Sequence, residues 1–182
     1  KTADMWAGTL KAVADSRLLL GNVRHLCPAA RNQAVELLAN HGIANRVKFF
    51  EDEDEHRANP EFYKHIDVLL DTTPVSGTVN LCEALWMGVP VLSLKGGRRS
   101  AQFGASILQG AGKPEWICQT PDQMAEKAAS LTGDLDKLGE IRSSLRSQVQ
   151  GSALFNPKAH AIAMEKALSQ ALEMKRGGGN PG

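Results

Sequence analysis

The residues best suited to chemistry lie in one short segment, residues 71–83, with the sequence DTTPVSGTVNLCE. The segment passes from an apolar run through Pro74 and Gly77 into a pattern typical of a helix. The first turn of a helix exposes unpaired backbone N–H groups and attracts anions, and Gly77 lets the backbone approach a ligand closely. Several hydroxyls would add hydrogen bonds to phosphate oxygens, those of Thr72, Thr73, Ser76 and Thr78. The segment is therefore typical of a diphosphate site.

Glu83 follows about one turn into the predicted helix. There its carboxylate would accept hydrogen bonds from the vicinal hydroxyls of a ribose while the diphosphate occupies the helix end, which favours a nucleotide as the ligand. The alternative is a capping box over Asn80-Leu-Cys-Glu83, in which the carboxylate bonds only a backbone N–H. The spacing alone leaves both interpretations open.

Short apolar runs alternate with helical patterns along the first 120 residues, which predicts the elements that position this segment. Strands are predicted at residues 17–20, 47–50, 66–70, 89–94 and 116–118, and helices at 29–41, 62–65, 78–87 and 101–109. Apolar strands that alternate with helices indicate a parallel sheet covered on both faces. The predicted fold class is α/β, with a doubly wound, mainly parallel sheet. Ligands of such sheets bind beyond the carboxyl ends of the strands, where residues 71–83 begin.

Beyond Thr120 the pattern is helical only, at residues 121–132, 134–150 and 157–175. Pro121 and Pro157 stand at first-turn positions, which proline favours. We expect these extra C-terminal helices to pack against the edge of the sheet or to reach a neighbouring domain. The tail, residues 176–182, has no core-forming residue and is predicted to be disordered.

Composition excludes several classes of protein. The 182 residues carry a formal charge of +1, so the basic excess typical of nucleic-acid binding is missing. The apolar stretches are far shorter than the roughly 20 residues that span a bilayer, so no membrane partner is expected. Three cysteines without CxxC spacing disfavour disulfides and zinc and indicate a reducing, cytoplasmic location. The acidic run at residues 51–55 is interpreted as solvated rather than metal-binding.

Several motifs, in order along the chain, resemble the C-terminal catalytic half of the O-GlcNAc transferase and SPINDLY glycosyltransferases. They are Leu70-Asp-Thr-Thr-Pro74, Gly77-Thr78, and the fairly specific block Cys82-Glu-Ala-Leu-Trp-Met-Gly-Val-Pro90. The similarity continues through residues 104–106, 145–146 and 152–156. Most of residues 1–175 is covered.

The resemblance implies a two-domain GT-B enzyme that works without a metal or other cofactor. Such an enzyme transfers GlcNAc or a similar sugar, with inversion, from UDP-GlcNAc or another nucleotide sugar to Ser or Thr of an acceptor protein. Residues 1–175 would be its Rossmann-like, nucleotide-sugar-binding half. The resemblance also implies that the first strand of this domain, the N-terminal catalytic half and tetratricopeptide repeats lie upstream, so residues 1–182 alone are predicted to be inactive.

The resemblance assigns Gly77 and Thr78 to the diphosphate and Glu83 to the ribose, in agreement with the roles argued from helix geometry. Asn80 replaces a family hydroxyl and is a substitute polar contact. A family histidine has its counterpart at Asn59, with His56 one turn earlier, and both are candidate nucleotide contacts. Two alternatives remain: a degenerate, non-catalytic protein-interaction domain, and a GT-B enzyme acting on a free nucleotide sugar, such as an epimerase.

Overall fold

A computed structural model describes residues 2–21, 28–50 and 61–176. This part of the chain contains five short strands, each followed by helical structure. The strands are Leu18–Leu20 (β1), Val47–Phe49 (β2), Leu69–Asp71 (β3), Val91–Leu94 (β4) and Ile117–Cys118 (β5).

Eight α-helices accompany these strands in the described residues. They are Thr2–Ala12 (α1), Pro28–Asn40 (α2), Glu61–Lys64 (α3), Val79–Trp86 (α4), Phe103–Gly110 (α5), Pro121–Thr132 (α6), Leu135–Gln150 (α7) and Pro157–Arg176 (α8). Four short 3₁₀ turns lie between them, at Ala44–Arg46, Arg99–Ala101, Pro114–Trp116 and Ala153–Phe155. The alternation of strand and helix confirms the predicted α/β class.

The strands are parallel, as predicted, but they pair in two groups. In one group β1 pairs with β2, with Leu18 opposite Val47. In the other the order is β3-β4-β5, with Asp71 opposite Ser93 and Leu94 opposite Cys118. The sequence pattern predicts a single sheet, so the break between β1 and β3 is a finding that only the tertiary structure provides.

Local sequence explains where several helices begin and end. Thr120 and Asp134 precede α6 and α7, and their side chains accept hydrogen bonds from the backbone N–H groups of Gln123 and Lys137. Such caps satisfy donors that a helix leaves open at its first turn. Gly42, the predicted end of the second helix, has φ of +71°, a conformation that favours glycine.

The buried side chains form two clusters, one on each group of strands. The larger one surrounds β3, β4 and β5, and all four residues of β4 are buried. The smaller one joins α1, β1 and α2 through Leu10, Leu18 and Leu38. Helix α1 contributes to both clusters, because Met5 belongs to the first and Leu10 to the second.

The C-terminal helices differ in how they pack. Helix α6 packs on α1 and β4, as expected for a helix against the sheet, whereas α7 packs on helices α4 and α6. Helix α8 has no buried residue and ends at Arg176, and residues 177–182 lie outside the described part of the chain. None of the described helices is both long enough and apolar enough to cross a membrane.

Candidate functional site

The turn between β3 and α4 is held in place by Asp71, the last residue of β3. Asp71 is only 6% exposed. Its Oδ2 accepts hydrogen bonds from the hydroxyls of Ser76 and Ser93, both at 2.6 Å, and its Oδ1 accepts one from the backbone N–H of Gly77 at 2.7 Å. A buried carboxylate needs such partners to offset lost hydration. Asp71 therefore ties the turn to both β3 and β4.

Helix α5 joins the same network through its own backbone. The N–H of Gly104 donates to Ser76 Oγ at 2.7 Å. A Cβ at Gly104 would overlap the side-chain oxygens of Asp71 and Ser93, which explains why this position has no side chain. The hydroxyl of Ser76 is buried and committed to Asp71, so the expectation that it would bond a phosphate is wrong.

The turn presents open backbone donors at the start of α4. Thr78 is the N-cap, but its side chain makes no capping hydrogen bond, and its N–H donates to Asn80 Oδ1 at 3.0 Å. In the described part of the chain, the N–H groups of Val79 and Asn80 have no hydrogen-bond acceptor. Both residues are exposed. These two amides, together with the helix dipole, can receive an anion.

Glu83 lies inside α4 and its carboxylate faces Tyr63. The Tyr63 hydroxyl, on a side chain from α3 that is 7% exposed, is 2.9 Å from Glu83 Oε2 and 3.1 Å from the backbone oxygen of Asn80. Burial, and after it the hydrogen bond and charge of Glu83, raises the pKa of Tyr63 well above its usual value. The helix begins at Val79, which makes Glu83 its fifth residue, too far along for a capping box. The capping interpretation of Glu83 is therefore wrong.

One pocket of about 300 Å³ brings the helix start and the carboxylate together. Val79, Glu83 and Trp86 line it, and their spacing along α4 places them on one helix face. Tyr63, Cys82 and Phe155 add further walls. Burial, and secondarily the charge of Glu83, raises the pKa of the Cys82 thiol. The arrangement offers backbone donors to an anion and a carboxylate to a hydroxyl-bearing group beside it.

The remaining predicted positions show less about ligand binding. Gly77 lies in the turn, but its N–H is used by Asp71. His56 and Asn59, and the acidic run at residues 51–55, lie outside the described residues. Arg98 and Arg99, in the glycine-containing loop after β4, are exposed. Over residues 2–21, 28–50 and 61–176, no group of three or more His, Cys, Asp or Glu side chains could hold a metal ion.

Sequence reasoning assigned no role to two residues of the site, Asp71 and Tyr63. Asp71 lies in the predicted segment 71–83 and in the motif Leu70-Asp-Thr-Thr-Pro74, and an acid directly after the apolar run at residues 66–70 is a signal of a buried, hydrogen-bonded carboxylate. Tyr63 carried no signal for Glu83, because the two are 20 residues apart and meet only through packing.

The family model for glycosyl transferase family 41 matches residues 1–164. The chain belongs to glycosyl transferase family 41. The probable UDP-N-acetylglucosamine–peptide N-acetylglucosaminyltransferase SPINDLY of Arabidopsis thaliana is 29% identical over 168 residues, which is 92% of this chain and 18% of that protein. The protein of the same name from Solanum lycopersicum is 30% identical over 155 residues, covering 85% of this chain and 17% of its own length.

A solved structure supports the same assignment. A mutant of the Thermobaculum terrenum O-GlcNAc transferase superposes with a TM-score of 0.81 and 29% identity, over 92% of this chain and 32% of that one. The chain thus matches part of the GT-B fold of that transferase. It spans less than a third of the solved protein and about a fifth of the curated relatives. The family 41 match confirms the resemblance found in residues 70–90.

Proposed function

We propose that this family 41 chain is the donor-binding part of an inverting protein O-glycosyltransferase. In this proposal a nucleoside diphosphate occupies the pocket at the start of α4. The N–H groups of Val79 and Asn80 bind phosphate oxygens, and the carboxylate of Glu83 accepts hydrogen bonds from the ribose. The observation that carries the proposal is that Val79 and Glu83 line one pocket of about 300 Å³ on one face of the helix.

The chemical role that follows is stabilisation of a leaving group. When a sugar leaves its nucleotide, negative charge grows on the diphosphate, and fixed N–H donors aimed at that charge lower the barrier. Backbone amides at a helix start are held in place before the reaction and need no reorganisation. The proposal asks no proton transfer of Glu83, whose carboxylate serves recognition. UDP-GlcNAc is the donor named for the relatives, and it is the first donor to test here.

Calorimetric titration with UDP, GDP and uridine tests the proposal. We expect UDP or GDP to bind and uridine to bind far more weakly, because the helix donors contact the diphosphate. Glu83→Gln should weaken nucleotide binding by about 1 to 3 kcal/mol, the range for losing hydrogen bonds to a charged group. Glu140→Gln, the same change at an exposed residue of α7, is the matched control and should leave affinity unchanged.

The alternatives give different results in the same experiment. A degenerate protein-interaction domain would show no nucleotide-specific heat, and Glu83→Gln would then change only stability. An enzyme acting on a free nucleotide sugar would bind nucleotide, and only product analysis of a longer, active protein would separate it from a protein O-glycosyltransferase. Absence of binding by both UDP and GDP would contradict the proposal.

A further inference from the structure

A cavity of about 620 Å³ lies along helix α5 and shares no lining residue with the candidate nucleotide pocket. One wall is α5, which contributes Phe103, Ser106 and Gln109, three residues that share one helix face. The other wall is Ile117 of β5 and Gln119, which follows that strand. We call this cavity the α5 groove. It extends along the helix for about 10 Å, at 1.5 Å per helical residue.

The α5 groove is positively charged. Lys95, directly after β4, and Arg99 line it, and no Asp or Glu does. Both cations are exposed, and in the described part of the chain neither side chain makes an ion pair or a hydrogen bond. The chain between Glu83 and Glu115 contains four basic residues and no acidic one, although the formal charge of the whole protein is only +1. The cations are therefore free to bind an anionic partner.

The other side chains of the groove suit a polypeptide. Gln109 and Gln119 are exposed, and each amide side chain can donate to a backbone carbonyl and accept from a backbone N–H. Phe103 is 48% exposed and offers an aromatic surface to an apolar side chain. An extended chain rises about 3.3 Å per residue, so about three residues span the groove. The lining thus fits a short extended segment that carries carboxylates.

Hydrogen bonds hold the charged end of the groove in place. The N–H of Gly96 donates to the Ala101 oxygen at 2.8 Å, and the Gln102 side chain donates to the Gly96 oxygen at 3.2 Å. The N–H of Ser76 donates to the Ser100 oxygen at 2.8 Å, which fixes this loop to the turn before α4. A binding surface that is ordered beforehand loses less entropy when its partner binds.

We propose that the α5 groove binds an acidic, extended segment of a partner protein. Charge complementarity carries the proposal, because unpaired cations gain ion pairs only with an anionic ligand. Nucleic acid fits less well, since the chain lacks a general basic excess and Phe103 is the one aromatic side chain of this lining. The proposal goes beyond donor binding and does not depend on it, because no lining residue is shared.

Fluorescence anisotropy without nucleotide tests the proposal. One labelled peptide contains Ser, Gly and several Glu residues, and its matched partner has Gln in place of every Glu. We expect the acidic peptide to bind at least about tenfold more tightly, with a difference that shrinks as salt screens the charges. Equal binding of the two peptides, or binding of neither, would overturn the proposal.

Two double variants locate the binding surface. Lys95→Gln with Arg99→Gln should weaken binding of the acidic peptide by about fivefold or more, because two surface ion pairs are lost. Lys137→Gln with Lys158→Gln removes the same charge from exposed residues of α7 and α8 and should leave the affinity nearly unchanged. An equal loss in both double variants would show that only the overall charge matters and would contradict the groove.

A substitution that adds charge gives an independent readout. Ser106→Asp places a carboxylate in the groove, whereas Ser147→Asp makes the same change at an exposed position of α7. We expect Ser106→Asp alone to weaken binding of the acidic peptide, while circular dichroism shows both variants folded. If a single-stranded oligonucleotide binds more tightly than the acidic peptide and competes with it, the groove is a nucleic-acid site and the proposal is wrong.

Discussion

At the scale of single residues, the contact between Tyr63 and Glu83 can be observed directly. The chain contains one tyrosine, so tyrosinate absorbance reports Tyr63 alone. Burial first, and Glu83 second, raises the pKa of this tyrosine. We expect Glu83→Gln to move tyrosinate formation in the native protein to lower pH, as measured by spectrophotometric titration. Glu140→Gln is the control, and an unshifted titration in Glu83→Gln would contradict the contact.

The same raised pKa predicts how stability depends on pH. A raised pKa in the folded state stabilises the fold fully below the unfolded value of about 10 and loses that contribution as the pH rises toward the folded value. The free energy of unfolding should therefore fall above about pH 10. Tyr63→Phe should reduce this fall, as denaturant titrations at several pH values would show. If the free energy of unfolding of Tyr63→Phe falls with pH as steeply as that of the wild-type protein, Tyr63 is not the cause of the fall.

Cys82 offers a test of where the nucleotide binds, because it lines the pocket with Glu83. Alkylation by iodoacetamide is expected to be slow, since burial and the charge of Glu83 raise the pKa of its thiol. Glu83→Gln should speed the reaction at a given pH because more thiolate forms. Saturating UDP should slow it. The rates are measured by mass spectrometry in a Cys27→Ser background, and the fully buried Cys118 is the control. If bound UDP does not slow alkylation of Cys82, the ligand binds elsewhere.

Asn80 stands at the helix start with its side-chain oxygen on the Thr78 N–H. Asn80→Asp keeps the shape of the side chain but adds a negative charge beside the proposed diphosphate. We expect UDP affinity to fall by about tenfold or more, since like charges a few ångströms apart repel by more than about 1 kcal/mol. Calorimetry in low and high salt measures this. Uridine, which lacks phosphate, should show no such loss, and equal loss for both ligands would contradict the assignment.

At the scale of secondary-structure elements, Asp71 joins β3, β4 and the turn into α4. Asp71→Asn replaces an acceptor by an N–H₂ group, which must face either the serine hydroxyls or the Gly77 N–H. We expect the free energy of unfolding to fall by about 1 to 3 kcal/mol and UDP affinity to fall with it. Denaturant unfolding and calorimetry give the two quantities. The control is Asp122→Asn, at an exposed position of α6. If Asp71→Asn is as stable as the wild-type protein, Asp71 does not hold the turn to β3 and β4.

At the scale of the whole molecule, the proposed function gives the pocket at the start of α4 the role of a donor site and assigns no acceptor site to the chain. The chain spans about a fifth of its curated relatives. Among the described residues, the pocket is lined by three side chains with ionisable groups, Glu83, Cys82 and Tyr63, and none of them has been assigned to an acceptor. Residues 1–182 are therefore expected to bind UDP but not to transfer sugar to a peptide. A radiolabelled-donor assay on the purified chain and on a longer version checks this. Transfer by residues 1–182 alone would refute the prediction.

Sequence predicted some elements of this fold closely and others only in part. The helix predicted at residues 121–132 is observed as Pro121–Thr132, because Thr120 and Pro121 mark its start locally. The strand predicted at residues 66–70 is observed at Leu69–Asp71. Ile66 is buried, but burial alone does not make a strand, which needs a neighbouring strand to pair with. The predicted domain limits, the disordered tail and the cytoplasmic location stay predictions.

The order of strands and helices, the glycine-containing turn before α4 and the similarity to family 41 are properties of the sequence by itself. They depend on local propensity, on the periodicity of apolar residues and on the order of short motifs. Tertiary structure decided which polar groups are free. Gly104 meets Ser76 across 28 residues, Ser93 meets Asp71 across 22, and Tyr63 meets Glu83 across 20, so only packing brings these partners together. Packing likewise determines that β1 pairs with β2 and not with β3, because strand pairing joins residues that no local pattern connects.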